Sequence, residues 1–294
     1  MLRLPTPPMA SPYEPAMPLP NFVVLGPPRT ATTWLFTALS ANPSVGLSSR
    51  KEVRFFDENY DRGLDWYARQ FDQVEPTATA VGDITPAYFA RHHVIARMRR
   101  DLPEPPTLLV IYRDPVERAF SEYRGRLRRG ETTDDFVTAL GKFPEMVANS
   151  SYGLNMRRWI DAFGPDKMVV LQFDRVASDP AAVLEQVCTS IGVASVGTES
   201  IDQVINAATP PAKFKSFRSV LRGGRRVLET TTAGRKIMWS LRRSGWVNRL
   251  QRGRSSTPSA ILGDDDRLEA QKYFVDDHQL WKRVAPQTMG WSVP

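Results

Sequence analysis

Residues 21–42 read NFVVLGPPRTATTWLFTALSAN, and the interpretation of this stretch decides the fold. The apolar run Phe22 to Leu25 stops at Gly26-Pro27-Pro28. Arg29-Thr30-Ala31-Thr32-Thr33 then leads into an amphipathic run with Trp34, Leu35, Ala38 and Leu39. That order predicts a buried strand, a tight loop and the first turn of a helix. N–H groups at a helix start lack intrahelical partners and carry the positive end of the helix dipole, so the loop is suited to an anion. Adjacent threonine hydroxyls and the Arg29 guanidinium suit phosphate in particular. Against the nucleotide-binding pattern G-x-x-x-x-G-K-[ST], Gly26 takes the first position, but Ala31 replaces the second glycine and Thr32 the lysine. An ordinary ATPase is not expected without that lysine. On this stretch alone, a helix N-terminus with no ligand is the competing interpretation.

Working outward, Thr107 to Tyr112 (TLLVIY) is the clearest buried strand. It runs into RDPVERAFSEY, residues 113–123, where Pro115 opens a helix at its favoured first position. Arg113 offers a planar fork for phosphate, and Ser121 follows two turns on, at i+8, facing the same way. Glu117 and Arg118 are expected to form local salt bridges. Between loop and strand lies RKEVRFFD, residues 50–57, whose four charges beside Phe-Phe-Asp make a plain core strand awkward. Lys51 and Arg54 flank Glu52 with positive charge and would attract an anion; a solvated charge cluster is the plainer alternative. Ala78 to Thr85 is a second buried strand, with Asp83 near its carboxyl end, where ligands of parallel sheets bind. His92 and His93 open a basic helix reaching Arg100 and read as capping or surface residues.

These motifs together resemble the sulfotransferases that use 3'-phosphoadenylyl sulfate (PAPS). A basic residue, a small residue and Thr-Thr resemble the family's 5'-phosphosulfate loop; the glycine usual there is Ala31 here. K-E-x-x-F-F at Lys51 to Phe56 and T-P-A-Y-F at Thr85 to Phe89 look like the heparan sulfate and related bacterial branch. A lysine commonly precedes that threonine, whereas this chain has Ile84, which points away from a highly sulfated glycan. R-[DN]-P-x-x-R-x-x-S-x-Y at Arg113 to Tyr123 is similar to the family's 3'-phosphate signature. Arg252-Gly253-Arg254 resembles its K-G-R segment. The resemblance implies that Thr30, Ala31, Thr32, Thr33 and Trp34 bind the 5'-phosphate side of the donor. Arg113, Ser121, Arg252, Gly253 and Arg254 would hold its 3'-phosphate and adenine. Arg29 would offset charge on the leaving phosphate, and Glu52 would take the acceptor's proton, since a hydroxyl attacks sulfur poorly until it loses that proton. Arg54, Phe56, Asp57 and Asp83 would face the acceptor. The donor would leave as adenosine 3',5'-bisphosphate (PAP), and no metal is implied. In the cytosolic small-molecule branch the base is a histidine, which makes His92 and His93 rivals to Glu52.

The totals set the frame. At 294 residues the chain can bury one full core. Its one cysteine, Cys188, excludes internal disulfides and reads as core on a helix over Asp179 to Ile191. No apolar run of about 18 residues is present. The N-terminus lacks a basic-then-apolar signal pattern, so a cytoplasmic location is expected. Residues 1–20 hold seven prolines and are expected to be a disordered arm, with the folded domain over 21–294. Tyr67, Phe71 and Trp66 read as core. Ser151 to Phe163 reads as a helix, Met168 to Phe173 as a strand, and about Asp265 to Lys282 as a C-terminal helix. Within the basic region 195–255, residues 213–254 carry 13 Lys or Arg against one acid, Glu229. Such a block steers anions, touches a membrane surface or closes over the site as a lid.

The sequence thus predicts a single α/β domain: a P-loop-type parallel sheet flanked by helices, with four strands and a basic helical C-terminal region. The expected activity is transfer of a sulfuryl group from PAPS to a hydroxyl or amine of a small-molecule, lipid or glycan acceptor. Peripheral membrane contact through 213–254 is a further expectation, and no nucleic-acid partner is expected. The alternatives are a P-loop kinase or NTPase, and a non-catalytic anion- or membrane-binding module.

Overall fold

Val45–Leu47 is a strand, which makes five where the sequence predicted four. The computed structural model describes residues 19–196 and 261–285. Its strands are β1 (Phe22–Gly26), β2 (Val45–Leu47), β3 (Ala80–Ile84), β4 (Thr107–Tyr112) and β5 (Met168–Gln172). They form one parallel sheet in the order β2-β3-β1-β4-β5. At three residues β2 is too short to show a period. Its pairing with β3, Val45 to Ala80 through Leu47 to Gly82, defines it instead.

Eleven α-helices surround the sheet among the described residues: α1 (Thr32–Leu39), α2 (Leu64–Ala68), α3 (His92–Asp101), α4 (Pro115–Arg129), α5 (Phe136–Lys142), α6 (Pro144–Ala148), α7 (Tyr152–Phe163), α8 (Phe173–Ser178), α9 (Pro180–Ser190), α10 (Asp264–Gln271) and α11 (Val275–Val284). Alternate residues of each strand feed opposite faces, because side chains in a strand alternate with a period of two. Val23, Leu25, Leu108 and Val110 join α3, α7 and α11 in one cluster. Phe22, Val24, Leu109 and Ile111 join α1 and α9, Cys188 included, in the other. Both faces are covered, so the strands read as continuous apolar runs. Tyr67 and Phe71 are core, while Trp66 packs half-buried at its edge.

Instead of one C-terminal helix there are two. Ala270 and Phe274 bury against α4, α5 and α6, whereas Trp281 and Val284 bury against the sheet-side cluster of Tyr152 and Trp159. One straight helix cannot serve both clusters, and the chain turns at Lys272 to Phe274. Leu19 already packs on the core, so the folded part begins before Asn21. Residues 1–18, the basic block 213–254 and Arg252-Gly253-Arg254 lie outside the described residues.

β1 is flanked by β3 on one side and β4 on the other. The chain therefore reverses its direction of winding at β1, and the crevice beyond the carboxyl ends of the strands opens there. Three segments meet at that end: the loop 26–31 after β1, Arg113-Asp114 after β4, and residues 85–91 after β3.

Candidate active site

Gly26 ends β1 with φ 102°, a left-handed conformation that glycine adopts without steric cost. A Cβ at Gly26 would lie 2.6 Å from the Pro86 Cα, so the chain after β3 also requires the bare glycine. Arg29 (φ 75°) and Ala31 (φ 62°) are left-handed too. For non-glycine residues that costs roughly 1–2 kcal/mol each, which the surrounding contacts must offset. Ala31 is the N-cap of α1 and supplies no side-chain acceptor. The first backbone bond of the helix is Leu35 N to Ala31 O, 3.1 Å. Hence the N–H groups of Ala31, Thr32, Thr33 and Trp34 are the four that a helix start leaves without intrahelical partners.

Two arginines, Arg113 after β4 and Arg118 on α4, hold the loop's carbonyls. Arg113 Nη1 donates to Arg29 O (3.0 Å) and Arg118 Nη1 to Pro28 O (3.2 Å). Thr30 is fully buried, with its hydroxyl donating to Pro27 O (2.7 Å). The resemblance assigned Thr30 to the phosphate; its side chain braces the loop instead. Thr32 and Trp34 are also buried, and Trp34 joins the cluster of Phe22, Val24, Leu109 and Ile111 on the α1 face of the sheet. The Trp34 indole N–H has no partner among the described residues.

Arg113 lies before α4, so helical phase does not set its direction relative to Ser121. It is held by three other contacts: its N–H donates to Tyr152 Oη (3.1 Å), Nη1 is tied to Arg29, and its guanidinium covers the Phe173 ring at 4.4 Å. Burial lowers its pKa, against the opposing pull of Glu117. Ser121 is half-buried on α4, three residues after Arg118 and four before Gly125, which places it on the face those residues share. Gly125 explains the course of Arg29: a Cβ there would come within 1.7 Å of Arg29 Nη2. The Arg29 guanidinium thus fills the space a side chain would occupy on α4. Burial lowers its pKa first, then repulsion by Arg128 and Arg129, with Glu122 opposing. Arg118 is fully buried and donates to Ser150 Oγ, Met146 O, Glu122 and Pro28 O. The expected local salt bridge forms with Glu122, four residues on, but Arg118 is chiefly an internal clamp.

On the β3 side, Glu52 (φ 61°) donates its N–H to Ile84 O (3.1 Å), which hangs the loop on the end of the strand. The Glu52 carboxylate is 44% exposed and accepts from Lys51 Nζ at 2.5 Å. Arg54 turns away from Glu52 to Asp57 and to Glu58 (2.9 Å). The acceptor-facing set expected from the sequence is reduced accordingly. Phe56 is fully buried among Phe55, Tyr67 and Tyr88. Asp57 is 2% exposed and serves to hold Arg54, which at 27% exposure reaches solvent. His92 and His93 open α3 without capping it.

Asp83 was expected to face an acceptor, but it is fully buried. Its carboxylate accepts from Tyr67 Oη (2.9 Å), Thr85 Oγ1 (2.7 Å) and Tyr88 Oη (3.1 Å). It is the floor under Glu52 and Arg54, since Arg54 N reaches Thr85 Oγ1 (3.4 Å). Burial pushes its pKa up from 3.8 to about 6, against the lowering effect of the three hydroxyls. A carboxyl with a raised folded pKa holds its proton more tightly in the folded state, so its stabilising share is complete below the unfolded pKa and is lost as pH rises through the folded one. Relative to Asp83→Asn, wild type should lose about 2–3 kcal/mol of unfolding free energy between about pH 4 and pH 7. Urea unfolding at the two pH values measures this; a constant difference would refute it.

A loop built in this way belongs to the P-loop class of α/β proteins, here without the lysine used for nucleoside triphosphates. Within that class, the chain belongs to the sulfotransferase domain family, whose model matches residues 19–220. It is similar to the membrane-associated sulfotransferase kil1 of Dictyostelium discoideum, 35% identical over 107 residues, covering 36% of this chain and 22% of that protein. It is also similar to human heparan sulfate glucosamine 3-O-sulfotransferase 5, 27% identical over 183 residues, 58% of this chain and 52% of that one. The chain thus spans about a fifth and about a half of these two curated relatives. Among solved structures, a sulfotransferase from Alicyclobacillus acidocaldarius matches with TM-score 0.55 at 24% identity, over 77% of this chain and 96% of its own. Mouse sulfotransferase SULT7A1 complexed with PAP matches at TM-score 0.51 and 12% identity, over 91% of this chain and 88% of its own. These structural likenesses concern the fold.

Proposed function

We propose that the protein transfers a sulfuryl group from PAPS to a hydroxyl or amine of a small-molecule, lipid or glycan acceptor, releasing PAP. The observation that carries this reading is the pairing of four N–H groups at the α1 start, which have no intrahelical partner, with Arg113, which is tied to the same loop at 3.0 Å. That combination offers one anion seat on the loop and a second, guanidinium seat beside it, which suits a nucleotide carrying phosphate at both 5' and 3' positions. Thr32 in the lysine position disfavours a kinase.

Bound there, PAPS supplies a sulfuryl group on a good leaving phosphate. The chain's residues have distinct tasks. The N–H groups of Ala31 to Trp34 would hold the 5'-phosphate, and Arg113 with Ser121 the 3'-phosphate. Arg29 would neutralise charge developing on the leaving oxygen, and the Glu52 carboxylate would accept the acceptor's proton. The human relative's name specifies heparan sulfate glucosamine as its substrate. Arg54 and Lys51 would suit an anionic acceptor of that type, while Ile84 in place of a lysine suits a less sulfated one. A cytoplasmic site of action belongs to the proposal and rests on the single cysteine, Cys188.

Calorimetric titration of adenosine 3',5'-bisphosphate against ATP tests the donor site. Arg113→Ala is expected to weaken bisphosphate binding by about 2–4 kcal/mol, roughly 30- to 1,000-fold, with ATP binding poorly to both proteins. Equal binding of ATP, or binding of neither nucleotide, would sink the proposal.

A further inference from the structure

Glu117 stands between two guanidiniums. Arg267 Nη2 of α10 meets Glu117 Oε1 in a direct ion pair, and Arg267 Nη1 lies 3.7 Å from Asp114 Oδ1. On its other side Glu117 Oε2 is 3.8 Å from Arg113 Nη2, a loose contact. Asp114 itself is occupied as the N-cap of α4, accepting from Glu117 N at 2.8 Å. Arg267 is presented from a packed helix, because Ala270 and Phe274 bury against Val116, Ala119 and Phe120 of α4. It also lies beyond residues 19–220, the span the family model matches.

The Glu117 carboxylate, 3.8 Å from Arg113 Nη2, is a competitor for its guanidinium, since opposite charges at that range attract each other. Whatever satisfies that carboxylate keeps the fork open for a phosphate. We propose that Arg267 is a positioning residue for the donor site: by engaging Glu117, it leaves Arg113 free to bind the donor's 3'-phosphate. The inference rests on the donor-site reading above. It assigns to the C-terminal helices a task in nucleotide binding besides packing.

The test is calorimetric titration of adenosine 3',5'-bisphosphate into full-length wild type, Arg267→Ala, Arg267→Ala with Glu117→Gln, and Arg267→Ala with Asp114→Asn. Arg267→Ala should weaken binding about 3- to 10-fold, because Glu117 then draws Arg113 away. Glu117→Gln in that background should bring affinity back to within about twofold, since the competing charge is gone. Asp114→Asn has the same net charge and keeps a good N-cap, so it should not restore binding. Failure of Glu117→Gln to restore affinity, equal restoration by both double variants, or full affinity in Arg267→Ala would each overturn the inference. A wild type that does not bind the bisphosphate overturns the donor reading itself, and that result comes before any variant is made.

Discussion

Glu52→Gln is expected to lower kcat for sulfuryl transfer by about 10²- to 10⁴-fold, the usual contribution of a positioned general base. Its affinity for adenosine 3',5'-bisphosphate should stay at the wild-type value. The substitution preserves shape and leaves an oxygen to accept from Lys51 Nζ, now 2.5 Å from the carboxylate. The backbone at Glu52 is fixed independently of the side chain through its N–H to Ile84 O. What the amide lacks is a basic oxygen for the acceptor's proton, so the loss should appear in kcat rather than in donor binding. Rates of PAP release in the presence of acceptor, set beside calorimetry, separate the two. A kcat within about threefold of wild type would remove Glu52 from the chemistry. His92 and His93 would then be the bases to examine.

Arg118→Ala is expected to destabilise the fold by about 3–5 kcal/mol, as breaking a buried ion pair does. The guanidinium is fully buried and joins four partners on α4, around α6 and in the loop after β1: Ser150 Oγ (2.5 Å), Met146 O (2.6 Å), Glu122 Oε2 (2.8 Å) and Pro28 O (3.2 Å). Truncation leaves the buried Met146 carbonyl and the part-buried Pro28 carbonyl without this donor. Glu122 retains only Arg126, at 3.3 Å, among the described residues. A fall in melting temperature of roughly 6–15 °C should accompany the loss. Bisphosphate binding should weaken as well, because Pro28 O is released from its clamp. Denaturant unfolding measures the change; a loss under about 1 kcal/mol would mean the site repacks or hydrates easily.

Much of the site could be read along the chain because its parts are local. The strand–loop–helix around Gly26 and the strand–Arg–Asp–Pro helix start at Arg113 each place their chemistry within a few residues of an element's end. Helix-end physics depends on little else. Asp83, Phe56 and Asp57 were misread for one shared reason. A polar or aromatic residue beside a motif looks the same in sequence whether it faces the crevice or the core, and only the packing of Tyr67, Tyr88 and Phe55 decides it. The sequence predicts only a local salt bridge for Arg118, whereas its contacts with Pro28 and Met146 span 90 and 28 residues. Gly125 carried no signal at all, since its importance lies in a side chain, Arg29, that reaches it from another element.

The sequence by itself determined the α/β class, the loop between β1 and α1, the order of the motifs at Gly26 and Arg113, and the family. Periodicity, breakers and helix-start chemistry are properties of neighbouring residues, so they survive without coordinates. The tertiary structure alone decided which acids are exposed, where Arg29 and Arg113 point, and that α10 returns to engage Glu117. Each of those is set by burial or by contact between distant segments. Their energy comes from desolvation and from partners that the linear chain does not place side by side.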